Sequence, residues 1–346
     1  MLPGMTILRL IAGFVAALML AAFAPPALAG TPINSTSYVP LGGVEQWISI
    51  TGEDRNNPIL LVVHGGPGDS QWPHADNYLP WEKYFTVVQW DQRGSGRSYG
   101  RIGEGTPEVN LNRIAHDGVE LADYLIRTQG KKKIIVLGHS WGSVVAVTMV
   151  QLKPELFAAY VGTGQVVSWK ATADFQYALL LAKARKDGDT AWLEQFADHG
   201  RPDLNVPKQF FAATANLRSV MAPSDQAWIQ SLRDGYPALL KQYPKDAQDL
   251  NAGMLFSGKH LIADELATNL PVTAPQLGTA YFMIQGRDDV ISPAEAALGY
   301  FHQVKAPQKM LVLIPDAGHF AFMTSPDAFL AALTGKVRPA AIARGA

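Results

Sequence analysis

The sequence predicts an α/β fold: a mostly parallel sheet covered by helices on both faces, with a helical cap inserted between two strands. Three observations carry this. Short, continuously apolar, β-branched runs such as Ile59-Leu60-Leu61-Val62-Val63 and Ile134-Ile135-Val136-Leu137 have the composition of strands buried on both faces. Helix-compatible stretches at 110–128, 143–153 and 293–303 alternate with such runs. From 165 to about 270 the strand pattern stops and helix-like segments follow one another, until alternation resumes at Ala280. The organisation that follows is a leader at 1–29, core at 30–164, a helical cap at 165–275 and core again at 276–346.

The chain of 346 residues is 48% hydrophobic and 17% charged, which supplies a large core, and its formal net charge is −1. No basic excess points to nucleic acid and no acidic tail to a solvating segment. With no cysteine, disulfides, thiolate nucleophiles and zinc–thiolate sites are excluded. The N-terminus reads as an export signal. Arg9 precedes an apolar run at 10–23, and Ala27-Leu28-Ala29 supplies the small-residue cleavage site, leaving Gly30 as the mature N-terminus. The run is short for a membrane span, which needs about 20 residues. The expectation is a periplasmic or secreted protein with no stable membrane association.

Taken in order, 38–50 reads as a hairpin turning at Gly42-Gly43. The strand at 59–63 runs into His64-Gly65-Gly66-Pro67-Gly68, where glycines let backbone amides approach a ligand. The Gly66 amide is the candidate oxyanion donor there, and His64, at the strand end, is read as structural. The strand at 85–90 ends at Asp91-Gln92-Arg93-Gly94-Ser95-Gly96-Arg97-Ser98. The full Gly-x-Gly-x-x-Gly is absent and no helix pattern starts there, so a dinucleotide loop is rejected. Its charges are expected to knit the loop together beneath the site. A strand is predicted at 157–162. Cap helices are predicted at 175–186, 190–199, 208–217, 225–236 and 246–256, punctuated by Pro202, Pro207, Pro223, Pro237 and Pro244. Strands follow at 280–285 and 310–314, then a last helix from about Phe320 and a frayed tail after Lys336.

The chemistry centres on Gly138-His139-Ser140-Trp141-Gly142, between the strand at 134–137 and the helix from Ser143. Gly-x-Ser-x-Gly in that setting is a nucleophile elbow. The serine sits on a strained turn, and the flanking positions are small because strand and helix nearly touch. The Trp141 amide lies at the helix N-terminus, where unpaired N–H groups favour negative charge, and is the second candidate oxyanion donor. A serine hydroxyl needs an adjacent base. Of the late histidines, His302 lies inside a helix-like stretch, while His319 follows the last strand beside Gly318, so His319 is the candidate. The acid that orients it comes from Gly286-Arg287-Asp288-Asp289, which offers two carboxylates; Asp316 is read as a turn residue. His64, Asp91, Ser140, Asp289 and His319 all fall just after predicted strands, and so gather along one edge of a parallel sheet, where ligands bind.

Five motifs in this order resemble the signature set of the proline iminopeptidase family of α/β-hydrolases: His64-Gly-Gly-Pro-Gly68, Asp91-Gln-Arg-Gly-Ser-Gly-Arg-Ser98, Gly138-His-Ser-Trp-Gly-Ser143, Gly286-Arg-Asp-Asp289 and Gly318-His319. The resemblance covers about 38–164 and 279–335. It implies an α/β-hydrolase fold and selects Asp289, the third residue after the glycine of Gly-Arg-x-Asp, as the acid. It also implies Gly66 and Trp141 as oxyanion donors and an aminopeptidase activity. Such peptidases hold the substrate's α-amine with acidic cap residues. Here Glu194, Asp198, Asp225 and Glu265 are available, and each is read as a solvated surface group. His139 stands where many members have glycine. The expectation is an exported serine hydrolase with Ser140 as nucleophile, His319 as general acid–base and Asp289 as orienter. It would use no metal or organic cofactor and act on a small molecule or short peptide. A carboxylesterase on small esters is the alternative, and a ligand receptor with a slow triad a more distant one.

Overall fold

The computed structural model describes residues 30–199 and 216–346; the predicted leader and most of the helix predicted at 208–217 lie outside them. Eight strands form one sheet in the order β1-β2-β4-β3-β5-β6-β7-β8. They are β1 (Ile33–Leu41), β2 (Val44–Gly52), β3 (Ile59–Val63), β4 (Thr86–Trp90), β5 (Ile134–His139), β6 (Phe157–Thr163), β7 (Ala280–Gly286) and β8 (Lys309–Ile314). β1 and β2 form an antiparallel hairpin, β2 runs antiparallel to β4, and every pairing from β4 through β8 is parallel. The hairpin turns on Gly42 and Gly43, at φ 55° and 78°, the positive values a two-residue turn of this hand demands.

The longer helices among the described residues are, in chain order, α1 (Gly96–Ile102), α2 (Leu111–Gln129), α3 (Trp141–Leu152), α4 (Trp169–Asp187), α5 (Thr190–His199), α6 (Pro223–Gln242), α7 (Pro244–Ala267), α8 (Ala294–Gln303) and α9 (Pro326–Ala332). The strand period of two divides the central runs between two cores. Ile59, Leu61, Val63, Ile134 and Val136 face a core shared with α2 and α3. Leu60, Val62, Ile135 and Leu137 face another shared with Trp81 and with Phe329 of α9. This two-sided burial explains why the central strands read as unbroken apolar runs.

Three expectations are corrected. A helix, α1, does follow Gly94-Ser95. It starts because the Asp91 carboxylate accepts the Arg97 N–H at 2.7 Å and α7 packs on it, not because its own residues favour a helix. Pro237 does not break its helix; α6 runs through it on an exposed face. The tail after Lys336 is ordered. Residues Arg338–Ile342 are helical, Val337 and Ala341 are fully buried, and Arg338 donates to the Tyr84 carbonyl at 2.9 Å.

Between β6 and β7 the described chain is helical. It leaves and re-enters the sheet at one place, since Ser168 bridges Asn269 and the Leu270 N–H donates to the Val167 carbonyl at 2.8 Å. α7 seats this insertion on the loop after β4: Ser257 Oγ donates to the Gly94 carbonyl at 2.8 Å, and the Phe256 ring lies 5.3 Å from that of Tyr99. Arg97 pairs with Asp246 at 2.7 Å and lies over the rings of Trp72 and Trp47, at 4.2 and 4.7 Å.

The same loop is anchored below by a fully buried ion pair. Arg93 meets Asp117 of α2 through two hydrogen bonds of 2.7 and 3.0 Å. Gln46 and Arg113 also donate to that carboxylate, and Arg93 donates to the carbonyls of Gly42 and Pro107. Removing one partner of a buried pair strands the other charge, at a cost of about 3–5 kcal/mol. Asp117→Ala is therefore expected to lose that much stability in urea unfolding; a loss below about 1 kcal/mol would place the pair among those that contribute little.

Candidate active site

Ser140 lies at the corner between β5 and α3 with φ 53° and ψ −125°, a conformation that non-glycine residues hold only where the surroundings enforce it. The enforcement is steric. A Cβ on Gly142 would sit 2.1 Å from the Val63 carbonyl oxygen, one on Gly138 2.5 Å from that of Gly142, and one on Gly65 2.9 Å from Ser140 Cβ. Strand, helix and glycine loop thus cross at near contact. The Ser140 side chain emerges partly exposed above them, and the Ser140 N–H donates to the Thr163 carbonyl at 3.1 Å. Trp141 is the first residue of α3, so its N–H has no partner within the helix. The exposed Gly66 backbone, at φ 109°, borders the same cavity as Ser140 and Trp141.

His319 lies in the loop after β8 and Asp289 in the loop after β7. His319 Nδ1–H donates to Asp289 at 3.0 Å to Oδ2 and 3.2 Å to Oδ1. The carboxylate also accepts the N–H groups of Ile291 and Ser292, both at 2.9 Å, and Gln285 Nε2 at 2.8 Å, so its aim is fixed. Asp288 and Asp316 are exposed, Asp316 in a turn at φ 56°, and His302 is exposed on α8. The turn that accepts the Ser140 N–H also borders His319: a Cβ on Gly164 would lie 2.9 Å from its Cε1. His139, the residue before Ser140, donates through Nε2 to the His319 carbonyl at 3.2 Å. Ser140, His319 and Asp289 are thereby drawn to one rim of the sheet. His64 is structural in its contacts, with Nε2 accepting the Gln92 N–H at 3.1 Å and burial lowering its pKa to about 4.

Burial alone would lower the His319 pKa. The Asp289 charge and hydrogen bond, with the charges of Asp225 and Asp69, outweigh it and hold the imidazole above its ordinary value.

Two carboxylates expected at the surface lie inside. Asp225, near the start of α6, is 1% exposed. It accepts the His319 N–H at 2.6 Å through Oδ2 and the Phe320 N–H at 3.2 Å through Oδ1. Gly318 leaves room for it, since a Cβ there would sit 2.1 Å from Asp225 Oδ2. Glu265 of α7 is 8% exposed and shares a cavity of about 80 Å³ with Gly66, Ser140, Trp141, Thr172 and Ser292. Among the described residues its carboxylate meets no hydrogen-bond or ionic partner, and burial raises its pKa to about 8. A signal for Glu265 existed: it stands one turn beyond Leu261 on the row Ser257–Leu261–Glu265, all buried, and i, i+4 residues share a face. Asp225 gave none, because an acid in a first helical turn reads as a dipole partner. Glu194 is exposed as expected, and the Asp198 side chain lies outside the described residues.

Residues 58–326 match the α/β hydrolase fold family, and the chain belongs to it. Its similarity runs to the proline iminopeptidase-like members. It is 30% identical over 305 residues to a probable aminopeptidase, YbaC, of Bacillus subtilis, covering 86% of this chain and 94% of that protein. It is 26% identical over 298 residues to a probable proline iminopeptidase of Streptomyces coelicolor, covering 81% and 88%. The crystal structure of a proline iminopeptidase-related protein from Thermus thermophilus superposes with a TM-score of 0.57 at 22% identity, covering 89% of this chain and 99% of that one; at that identity the likeness is one of fold.

Asp225→Ala would free two backbone amides that set the His319 loop. A displacement near 1 Å at a catalytic group costs on the order of 10²-fold in rate. Turnover is expected to fall by about that factor with the circular dichroism spectrum unchanged; undiminished turnover would show that the loop holds itself.

Proposed function

We propose that this chain is an aminopeptidase of the proline iminopeptidase type that releases an N-terminal residue through an acyl-enzyme on Ser140. The observation that carries this reading is Glu265, a buried, unpaired carboxylate in the cavity of the proposed nucleophile. A lone buried carboxylate is costly unless a cation joins it, and a substrate α-ammonium is such a cation. At about 80 Å³ the cavity is small, which suits a compact residue better than a long acyl chain. The similarity to a probable aminopeptidase and a probable proline iminopeptidase points the same way.

In this mechanism Ser140 Oγ attacks the scissile carbonyl while His319 takes its proton. The Gly66 and Trp141 amides hold the resulting oxyanion. His319, oriented and charge-balanced by Asp289, returns the proton to the leaving amine as the C–N bond breaks. Water, deprotonated by His319, then releases the amino acid and regenerates Ser140. Residues 165–275 would act as the cap that closes over this site, and 1–29 as a leader removed after Ala29 during export. A mature protein recovered from the periplasm or medium would then begin at Gly30 by N-terminal sequencing, and one retaining Met1 would not fit.

Ser140→Ala is expected to lower turnover by about 10⁴–10⁶-fold with folding intact; near-normal activity would remove the assignment. Glu265→Gln exchanges an ammonium–carboxylate contact for a neutral one. A hydrogen bond to a charged group is worth about 1.5–3 kcal/mol, so kcat/KM on a prolyl arylamide should fall roughly 10–100-fold. Short nitrophenyl esters without an amine should be far less affected, and equal losses on both would contradict the reading.

The pH profile adds a sign. His319 acts as base only when neutral, so kcat/KM should rise with pH, at a higher pH than an ordinary histidine would give. Glu265 binds an ammonium only when ionised, which adds a rise through about 8. Glu265→Gln should remove that second limb, and a profile unchanged by the substitution would count against it.

A further inference from the structure

The 80 Å³ cavity accounts for the acyl side of the substrate, and the leaving side needs space of its own. A second cavity, of about 470 Å³, opens between the turn Trp72–Tyr78 and helices α6 and α7, and is walled by Asp69, His74, Trp228, Leu232, Tyr236 and Met254. It is largely apolar and aromatic, with the His74 and Trp228 rings 5.3 Å apart. A neck of about 10 Å³ shares Asp69, His74, Trp228 and Leu232 with it and ends on His139 and Phe320. Those two rings flank His319, with centroids at 4.8 and 5.1 Å. The larger cavity therefore reaches the two rings that pack against the histidine which, in the proposed mechanism, hands a proton to the departing amine.

Asp69 stands at the junction of the two spaces. Its N–H donates to the Gly65 carbonyl at 3.1 Å, and its Cβ lies 3.2 Å from where a Cβ on Gly66 would be. Its carboxylate has no hydrogen-bond or ionic partner among the described residues. Burial raises its pKa to about 6, with the charge of His319 acting against the rise, so it is ionised at pH 8.

We propose that the 470 Å³ cavity is the leaving-group site, that it takes an apolar or aromatic residue just beyond the scissile bond, and that Asp69 turns away a free carboxylate there. The substrate class is then an N-terminal residue joined to a neutral amide or a peptide of three or more residues, with dipeptides disfavoured. In a dipeptide the C-terminal carboxylate sits one residue from the scissile bond, at the mouth that Asp69 occupies. In a longer peptide that carboxylate has moved out along the cavity, and in an amide it is absent.

This proposal rests on the aminopeptidase reading, and its test varies only the leaving side. At pH 8, kcat/KM is measured for proline methylamide, prolyl-phenylalaninamide and prolyl-phenylalanine. Prolyl-phenylalaninamide is expected to exceed each of the others by about tenfold. Asp69→Asn should cut its advantage over prolyl-phenylalanine to less than about threefold. Trp228→Ala should cut its advantage over the methylamide at least fivefold, with circular dichroism confirming that both variants fold. An amide-to-acid ratio untouched by Asp69→Asn, or equal losses on all substrates in Trp228→Ala, would overturn the proposal. If no amide is cleaved, the aminopeptidase reading fails by itself. Benzyl and methyl acetate then take over as the leaving-group pair: a benzyl preference that Trp228→Ala removes sustains the cavity assignment, and no preference ends it.

Discussion

Everything at the site depends on three stretches of backbone crossing at near contact under Ser140. The end of β3, the end of β5 and the start of α3 leave no volume for a side chain at Gly65, Gly138 or Gly142, and that closeness holds Ser140 at φ 53°. Strain of this kind costs on the order of 1–3 kcal/mol, a cost the packed strands on either side sustain. The return is geometric. Ser140 is left partly exposed, Trp141 opens α3 directly after it, and Gly66 of the glycine loop lines the same cavity.

The sheet alone does not complete the site. β7 and β8 deliver Asp289 and His319, but the backbone of the His319 loop is held by Asp225 from the insertion. Glu265, also from the insertion, lines the same small cavity as Ser140. The insertion is in turn seated on the loop after β4 through Ser257, Phe256 and Arg97, and that loop is pinned to α2 by Arg93 and Asp117. Core and insertion are thus joined by contacts that begin in the buried base and end at the His319 loop. Burial of His319 among Asp289, Asp225 and Asp69 has a further consequence. Each carboxylate favours the protonated imidazole, the form that donates to a leaving group, and the proposed mechanism needs that form at the moment of bond cleavage.

What the sequence revealed divides along a physical line. The placement of Ser140, Asp289 and His319 just after strands of the sheet was legible because each follows a buried strand whose apolar run announces itself, and because the elbow's glycines are imposed by local sterics. The hairpin at Gly42-Gly43 was legible for the same local reason. Asp225 was not: its partners, the amides of His319 and Phe320, lie 94 and 95 residues away in the chain, and nothing near Asp225 marks it as buried. Glu265 was half-legible, on an apolar row that a long polar helix obscures. α1 escaped notice because Gly96 and Gly100 are poor helix formers, and its stability comes from Asp91 and α7. The tail was misread because Pro339 and several alanines suggest fraying, although Val337 and Ala341 repeat at helical spacing and fill a core edge.

The most direct measurement of the central claim is covalent labelling with a fluorophosphonate, followed by mass mapping, with and without excess prolinamide as a competing amine. The account predicts a single adduct on Ser140, formed at a rate that prolinamide lowers by filling the small cavity against Glu265. No adduct, an adduct on another residue, or labelling of Ser140 that prolinamide leaves unchanged would contradict it.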